Sequence, residues 1–193
     1  MLLKTDAHPP AALEPSDWVR RWSGLVKPGG HVLDLACGSG RHLTWLAAQG
    51  LAVTGVDRDE VAVRPLARLG EVVVADLESG PWPLEGRRFD AVVVTNYLWR
   101  PLWPRILDAV EDGGCLIYET FRSGHEQIGR PSRADFLLEP GELWRVCDGL
   151  RVVAFEDGEL TGPHRRVQRI CALRGHAAES ADSWPALFPA VGG

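Results

Sequence analysis

The stretch Leu33-Asp34-Leu35-Ala36-Cys37-Gly38-Ser39-Gly40 decides how this chain folds. Its first half belongs to an apolar run, His31 to Ala36, that reads as a buried strand opened by the turn Pro28-Gly29-Gly30. Its second half is a two-glycine loop. A helical pattern, Arg41 to Gln49, starts immediately after it and stops at Gly50, a residue suited to a helix C-cap. Gly38 and Gly40 lack Cβ atoms, so the chain can turn tightly there and a ligand can lie against the backbone.

Working outward, strand-like and helical segments alternate. Leu51 to Val56 is a strand ending at Asp57. Asp59 to Leu69 is a helix that Asp59 can cap and Gly70 can end, with Pro65 implying a kink or a late start. Val72 to Ala75 is a strand ending at Asp76, and Phe89 to Thr95 and Cys115 to Tyr118 are two more. Trp103 to Val110 and Glu142 to Cys147 read as helices, and Leu150 to Glu156 and Arg166 to Leu173 as a closing pair of strands. Such alternation gives an α/β fold: a doubly wound, mainly parallel seven-stranded sheet with helices on both faces. The two late strands, with no long helix between them, form an antiparallel edge hairpin. Ahead of the sheet, Ser16 can cap a helix that presents Trp18 and Trp22 on one face, within a helical segment at about 14–26. The expected organisation is a single domain over 1–193, with its core at about 30–174 and a flexible tail at 175–193.

In a doubly wound sheet, ligands bind at the carboxyl ends of the strands near the topological switch point. A dinucleotide fingerprint would require a third glycine, where this chain has Leu43, and it would place a pyrophosphate beside the carboxylate of Asp34. No Gly-Lys-Ser/Thr sequence is present for a P-loop. Asp34 suits a cationic ligand instead. Asp57 follows Gly38 by 19 residues, close to the roughly 20 expected for an acid that accepts from ribose hydroxyls. Asp76 ends the next strand and can accept from an adenine amino group, with the Leu77 backbone beside the ring. One such acid is commonly a loop cap; three at successive strand ends beside a two-glycine loop indicate a ligand.

Composition narrows the classes. A net charge of −5 and scattered basic residues disfavour nucleic acid as a partner. Arg130, Arg133, Arg165 and Arg166 are the residues from which a local basic surface could be assembled. No run approaches the roughly 20 apolar residues of a membrane span, and the N-terminus lacks the apolar core of a secretory signal. A cytoplasmic location without membrane association is therefore expected. The four cysteines and six histidines are dispersed, so neither a disulfide framework nor a metal site is expected.

The ordered set Leu33 to His42, Val53-Thr-Gly-Val-Asp57, Ala75-Asp-Leu77 and Phe89-Asp-Ala-Val-Val-Val94 resembles the class I S-adenosylmethionine (SAM)-dependent methyltransferases, over about Gly30 to Leu173. Pro81-Trp-Pro-Leu84, Thr95 to Pro101, and Tyr118 to Phe121 followed by Gly124, Gly129 and Pro131 are similar to small bacterial methyltransferases of the tellurite-resistance type. The resemblance implies a Rossmann-like fold, an enzyme, SAM as cofactor and S-adenosylhomocysteine (SAH) as product. It places the cofactor against Asp34, Ala36, Cys37, Gly38, Gly40, Arg41, His42, Asp57, Arg58, Asp76, Leu77, Asn96, Tyr97 and Leu98. Cys37 would act through its backbone.

Methyl transfer from a sulfonium is driven by the cofactor, so no catalytic dyad is required. After the fourth strand, Asn96 and Tyr97 can line the methionine moiety, Trp99 can pack against the sulfonium, and Arg100 can attract an anionic acceptor. The segment lacks the Pro-Pro-Tyr that would follow Asn or Asp in methylation of a base or glutamine amino group. The loop after Phe121 has the length and glycines of a lid, and Glu119 and His125 are the candidate bases. The expected function is methylation of a small-molecule acceptor by a monomer or homodimer. An RNA or protein methyltransferase is one alternative, and a non-catalytic SAM-binding subunit supporting a partner is the other.

Overall fold

The computed structural model describes residues 14–175. The expected flexible tail lies outside them except for Gly175. Seven strands form one sheet: β1 His31–Leu35, β2 Ala52–Asp57, β3 Glu71–Val74, β4 Phe89–Thr95, β5 Val110–Phe121, β6 Arg151–Thr161 and β7 His164–Leu173. Their order is β3-β2-β1-β4-β5-β7-β6. β1 to β5 pair in parallel, and β7 is antiparallel to both β5 and β6. The chain builds outward from β1 to β3, then crosses back to β4 and builds the other way. The carboxyl ends of β1 and β4 therefore flank a crevice, the position at which such sheets bind ligands.

Helices cover both faces. On one, α1 Asp17–Trp22, α2 Arg41–Ala48 and α3 Glu60–Val63 pack Trp18, Trp22, Leu43, Leu46 and Val63 against Val32, Val53, Val93 and Ile117. On the other, α4 Trp103–Asp108 and α5 Glu142–Val146 pack Ile106 and Leu143 against Leu33, Leu35, Val92, Val94 and Leu116. The two-residue alternation of strand side chains assigns each residue to one face. Each fully buried leucine contributes about 2 kcal/mol of burial free energy. As its sequence indicates, Ser16 caps α1, accepting from the Trp18 amide at 3.1 Å, and the two tryptophan rings meet edge to face.

Three elements differ from the sequence reading. The strand expected over Leu150 to Glu156 runs as Arg151–Thr161, because its pairing with β7 continues to the hairpin turn, Thr161 against His164. The helix expected over Asp59 to Leu69 is α for only Glu60–Val63, then tightens to a 3-10 turn at Arg64–Arg68. Pro65 has no N–H to donate, so the α-helical ladder cannot continue through it. β5 begins at Val110 rather than Cys115. Glu111-Asp-Gly-Gly114 is too polar to read as strand, and its pairing with β4 is irregular between Phe89 and Ala91.

Candidate functional site

The loop between β1 and α2 is held by its neighbour strand. The Cys37 amide donates to the Val56 carbonyl at 3.1 Å, and the Gly38 amide to Asp57 Oδ2 at 2.8 Å. Gly40 has φ +75°, and a Cβ there would lie 2.5 Å from the Leu66 side chain. Leu43, in place of a third glycine, packs against Gly55 of β2, where a Cβ would meet it at 2.5 Å. The close helix-strand approach is thus provided by a glycine on the strand. Ala36 and Asn96 are the non-glycine residues with positive φ among the described residues, at +52° and +54°, and they terminate the adjacent strands β1 and β4. Each costs about 1 kcal/mol, and such strain concentrates where a ligand is held.

A cavity of about 480 Å³ opens at these strand ends, within the usual size of a small-molecule site. Of the candidate residues, Ala36, Gly38, Asp57, Arg58, Asp76, Leu77 and Tyr97 line it. Asp34, Cys37, Gly40, Arg41, His42, Asn96 and Leu98 stand outside that lining. Ser39, Asp59, Ala62, Ala75 and Glu78 also line it. Ser39 lies inside the quoted loop and Ala75 beside Asp76, so adjacency was a signal; Ala62 carried none. Asp57 Oδ1 accepts from the Asp59 amide at 3.0 Å, and Asp76 Oδ1 accepts from the amides of Glu78 and Ser79 at 2.9 and 3.2 Å. The Glu78 amide is the main reason that the Asp76 carboxyl lies below its ordinary range. The Tyr97 hydroxyl is buried without a partner, while the Tyr97 carbonyl accepts from Tyr118 Oη at 2.9 Å.

Asp34 sits on β1 beneath α2, 1% exposed, and neither carboxylate oxygen has a hydrogen-bond partner. Burial pushes its carboxyl up to about 8. His42 Nδ1 is 3.8 Å away. His42 Nε2 accepts from the Ser16 amide at 3.1 Å, so Nδ1 carries the proton, facing Thr95 Oγ1 at 3.4 Å. Burial lowers this imidazole to about 3, and it stays neutral. A buried carboxylate left unpaired is costly, and a cationic ligand group would offset that cost.

Residues 32–113 match the family model described as methyltransferase domain. No curated protein matches the sequence. Among solved structures, the domain is similar to TehB from Haemophilus influenzae at 19% identity and TM-score 0.67, covering 82% of this chain and 61% of that one. It is also similar to a TehB-like SAM-dependent methyltransferase from Corynebacterium glutamicum at 19% identity and TM-score 0.61, covering 81% and 86%. A third is the glycopeptide N-methyltransferase MtfA complexed with SAH, at 18% identity and TM-score 0.59, covering 84% and 90%. At these identities the likeness is one of fold.

Arg100, His125 and Glu119, the candidate residues on the acceptor side, have different surroundings. Arg100 is engaged on all three nitrogens: Nε and one terminal nitrogen hold Glu142 at 2.7 and 2.9 Å, and the carbonyls of Asp135 and Leu137 accept at 2.9 Å. His125 is buried, with Nε2 donating to the Arg130 carbonyl at 2.9 Å and Nδ1 accepting from the Arg166 amide at 3.3 Å. It pins the loop expected to be a lid, which is further tied by the bridge between Arg122 and Leu138. Glu119 is 1% exposed at the crevice end of β5. Its Oε1 accepts from Ser16 Oγ at 3.2 Å and faces Arg165 at 3.5 Å, while Oε2 faces Arg169 at 3.4 Å. No described helix is long and apolar enough to cross a membrane. No cluster of three metal-ligating side chains occurs among the described residues.

Proposed function

We propose that this domain transfers the methyl group of SAM to a small-molecule acceptor. The observation that carries the reading is Asp34: a buried, partnerless carboxylate beside a cavity rimmed by Asp57 and Asp76. SAM, when bound, supplies the electrophilic methyl group and a sulfonium leaving group. In this reading Asp34 faces the cofactor's ammonium. Asp57 keeps one lone pair on each oxygen for the ribose hydroxyls, because each oxygen already accepts one backbone amide. Asp76 and the Leu77 backbone take the adenine edge. Ala36, Cys37, Gly38 and Gly40 offer backbone to the ligand, and Arg58 flanks the ring. Asn96, Tyr97 and Leu98 border the methionine end, where the Tyr97 hydroxyl has a free donor.

A small acceptor is favoured over nucleic acid because the net charge is −5 and two of the four basic residues that could form a wider surface are internally paired. Arg166 donates to Glu159, Gln127 and the Gly124 carbonyl, and Arg133 pairs with Asp135. The test is calorimetric titration with SAH. Wild type should bind it, and Asp57→Ala should weaken affinity about tenfold or more, the usual effect of losing a charge-assisted acceptor. Absence of SAH binding by the wild type at millimolar ligand would overturn the reading. Unchanged affinity in a folded Asp57→Ala protein would remove Asp57 from the ribose.

A further inference from the structure

The cavity alone does not satisfy Asp34. Its carboxyl is buried and both oxygens are without a partner. In the reading above, the cofactor's ammonium meets one oxygen as the carboxyl ionises. The other oxygen then carries charge in a buried place with no donor, which is costly. The cofactor's own α-carboxylate only accepts and cannot meet it. Burial is the main force against ionisation of Asp34; the charge of Arg41 favours it and that of Asp57 opposes it. The side-chain N–H that faces Asp34 belongs to His42, in the first turn of α2. Its Nδ1 lies 3.8 Å from Asp34 Oδ2, too far for a hydrogen bond, and 3.4 Å from Thr95 Oγ1.

The tautomer of this ring is fixed from α1. The Ser16 amide, at the cap of that helix, donates to His42 Nε2 at 3.1 Å, which leaves the proton on Nδ1, directed toward β1 and β4. Ser16 is held in turn by its hydroxyl, which donates to Glu119 Oε1 at 3.2 Å. Neither Ser16 nor His42 lines the cavity, and the His42 side chain is buried. We propose that His42 is the positioning residue for Asp34: with the ammonium bound, Nδ1–H turns from Thr95 to Oδ2 and aims the other oxygen at the ligand. A movement of about 1 Å is enough. The proton that leaves Asp34 goes to solvent, and His42 is neutral in both states. Because Ser16 sets which nitrogen carries the proton, α1 tunes the donor site without reaching it.

This inference rests on the methyltransferase reading, and the experiment separates the two. An Asn side chain places an N–H where Nδ1 stands and is too short for the Ser16 amide. A Gln side chain places an acceptor where Nε2 stands and offers Asp34 no donor. In calorimetric titration with SAH, His42→Gln should bind about tenfold more weakly than wild type, the usual effect of losing a hydrogen bond to a charged group. His42→Asn should recover most of that loss. In Asp34→Asn protein, adding His42→Gln should weaken SAH by less than about threefold, because the two residues act as one unit. A histidine that only ties α1 down would give the reverse order, with Gln tolerated and Asn not, and additive losses in the double variant. Either result would overturn the proposal. Nitrogen-15 spectra of the ring give a readout independent of affinity. Wild-type His42 should show the Nδ1–H tautomer and a shift of Nδ1 on adding SAH that Asp34→Asn abolishes; an Nε2–H tautomer, or a shift that survives Asp34→Asn, would overturn it. If SAH itself fails to bind, the donor assignment falls. The Nδ1 resonance of ligand-free protein, followed across the ionisation of Asp34 near pH 8, still decides whether His42 turns to the carboxylate: it shifts with that ionisation if so, and stays constant if not.

Discussion

The two halves of the crevice are built differently. Over β2 and β3 the acids sit at open strand ends, and each is tied to backbone amides nearby: Asp57 to Gly38 and Asp59, Asp76 to Glu78 and Ser79. Over β4, β5 and β7 the charges are packed against one another, and Glu119 is joined to Ser16, 103 residues away, and to two arginines of β7. The first half is a set of local turns that present carboxylates outward. The second is a non-local ion cluster whose parts hold each other. Substitutions in the first half should therefore change ligand affinity more than stability, and substitutions in the second should do the reverse.

The largest effect tests that contrast directly. Glu119→Ala leaves Arg165 and Arg169 facing each other without their shared counter-ion and removes the acceptor for Ser16 Oγ. Breaking a buried ion pair from one side costs about 3–5 kcal/mol, and because the arginine side chains are 20% and 15% exposed, water lowers the expectation to about 3 kcal/mol. Urea unfolding measures it. A Glu119→Ala protein as stable as wild type would show that the cluster is not what holds this half together.

Asp34 lies where the halves meet, and its titration gives the next effect. Its folded pKa, about 8, is above the ordinary 3.8, so the native protein without ligand keeps a proton there at neutral pH. The sign follows: between about pH 4 and 8 the native state holds more protons than the unfolded one, and this group's contribution to stability falls as pH rises. A ligand ammonium reverses the preference, so binding SAH expels the proton. Affinity should then rise with pH by up to about tenfold per unit across roughly pH 5.5 to 7.5, below the range in which an α-amino group titrates. His42, held at about 3 by burial, stays neutral throughout and adds nothing. Asp34→Asn should bind more weakly and lose the slope. Calorimetry in buffers of different ionisation enthalpy counts the proton. A wild-type slope of zero would place Asp34 away from the ammonium.

The same contrast explains what could be read in the sequence. Asp57, Asp76 and the glycine loop end strands whose period and punctuation are visible in one dimension, and strand order follows from the alternation of strand and helix. Gly55 escaped notice because nothing marks a strand glycine as the seat of a helix until Leu43 is seen against it. The start of β5 escaped because Glu111-Asp-Gly-Gly114 has turn chemistry and becomes strand only through pairing. The ion cluster around Glu119 escaped because its members come from the cap of α1, from β5 and from β7. Arg100, by contrast, drew attention only through its place after β4.

Arg100 is thus where the smallest functional effect is expected. Four of its five N–H donors are already taken by Glu142 and two carbonyls of the segment before α5, so one Nη1 hydrogen is all that is left for an acceptor. The pair is partly exposed, at 34% and 13% of side-chain surface, and the bidentate geometry with two carbonyl bonds is worth about 1–2 kcal/mol. Arg100→Ala should lower stability by that amount in urea unfolding and leave SAH affinity unchanged. If it instead weakens SAH about tenfold, the ligand is held from the β4 to α4 side, and the division of the crevice drawn above is the wrong one.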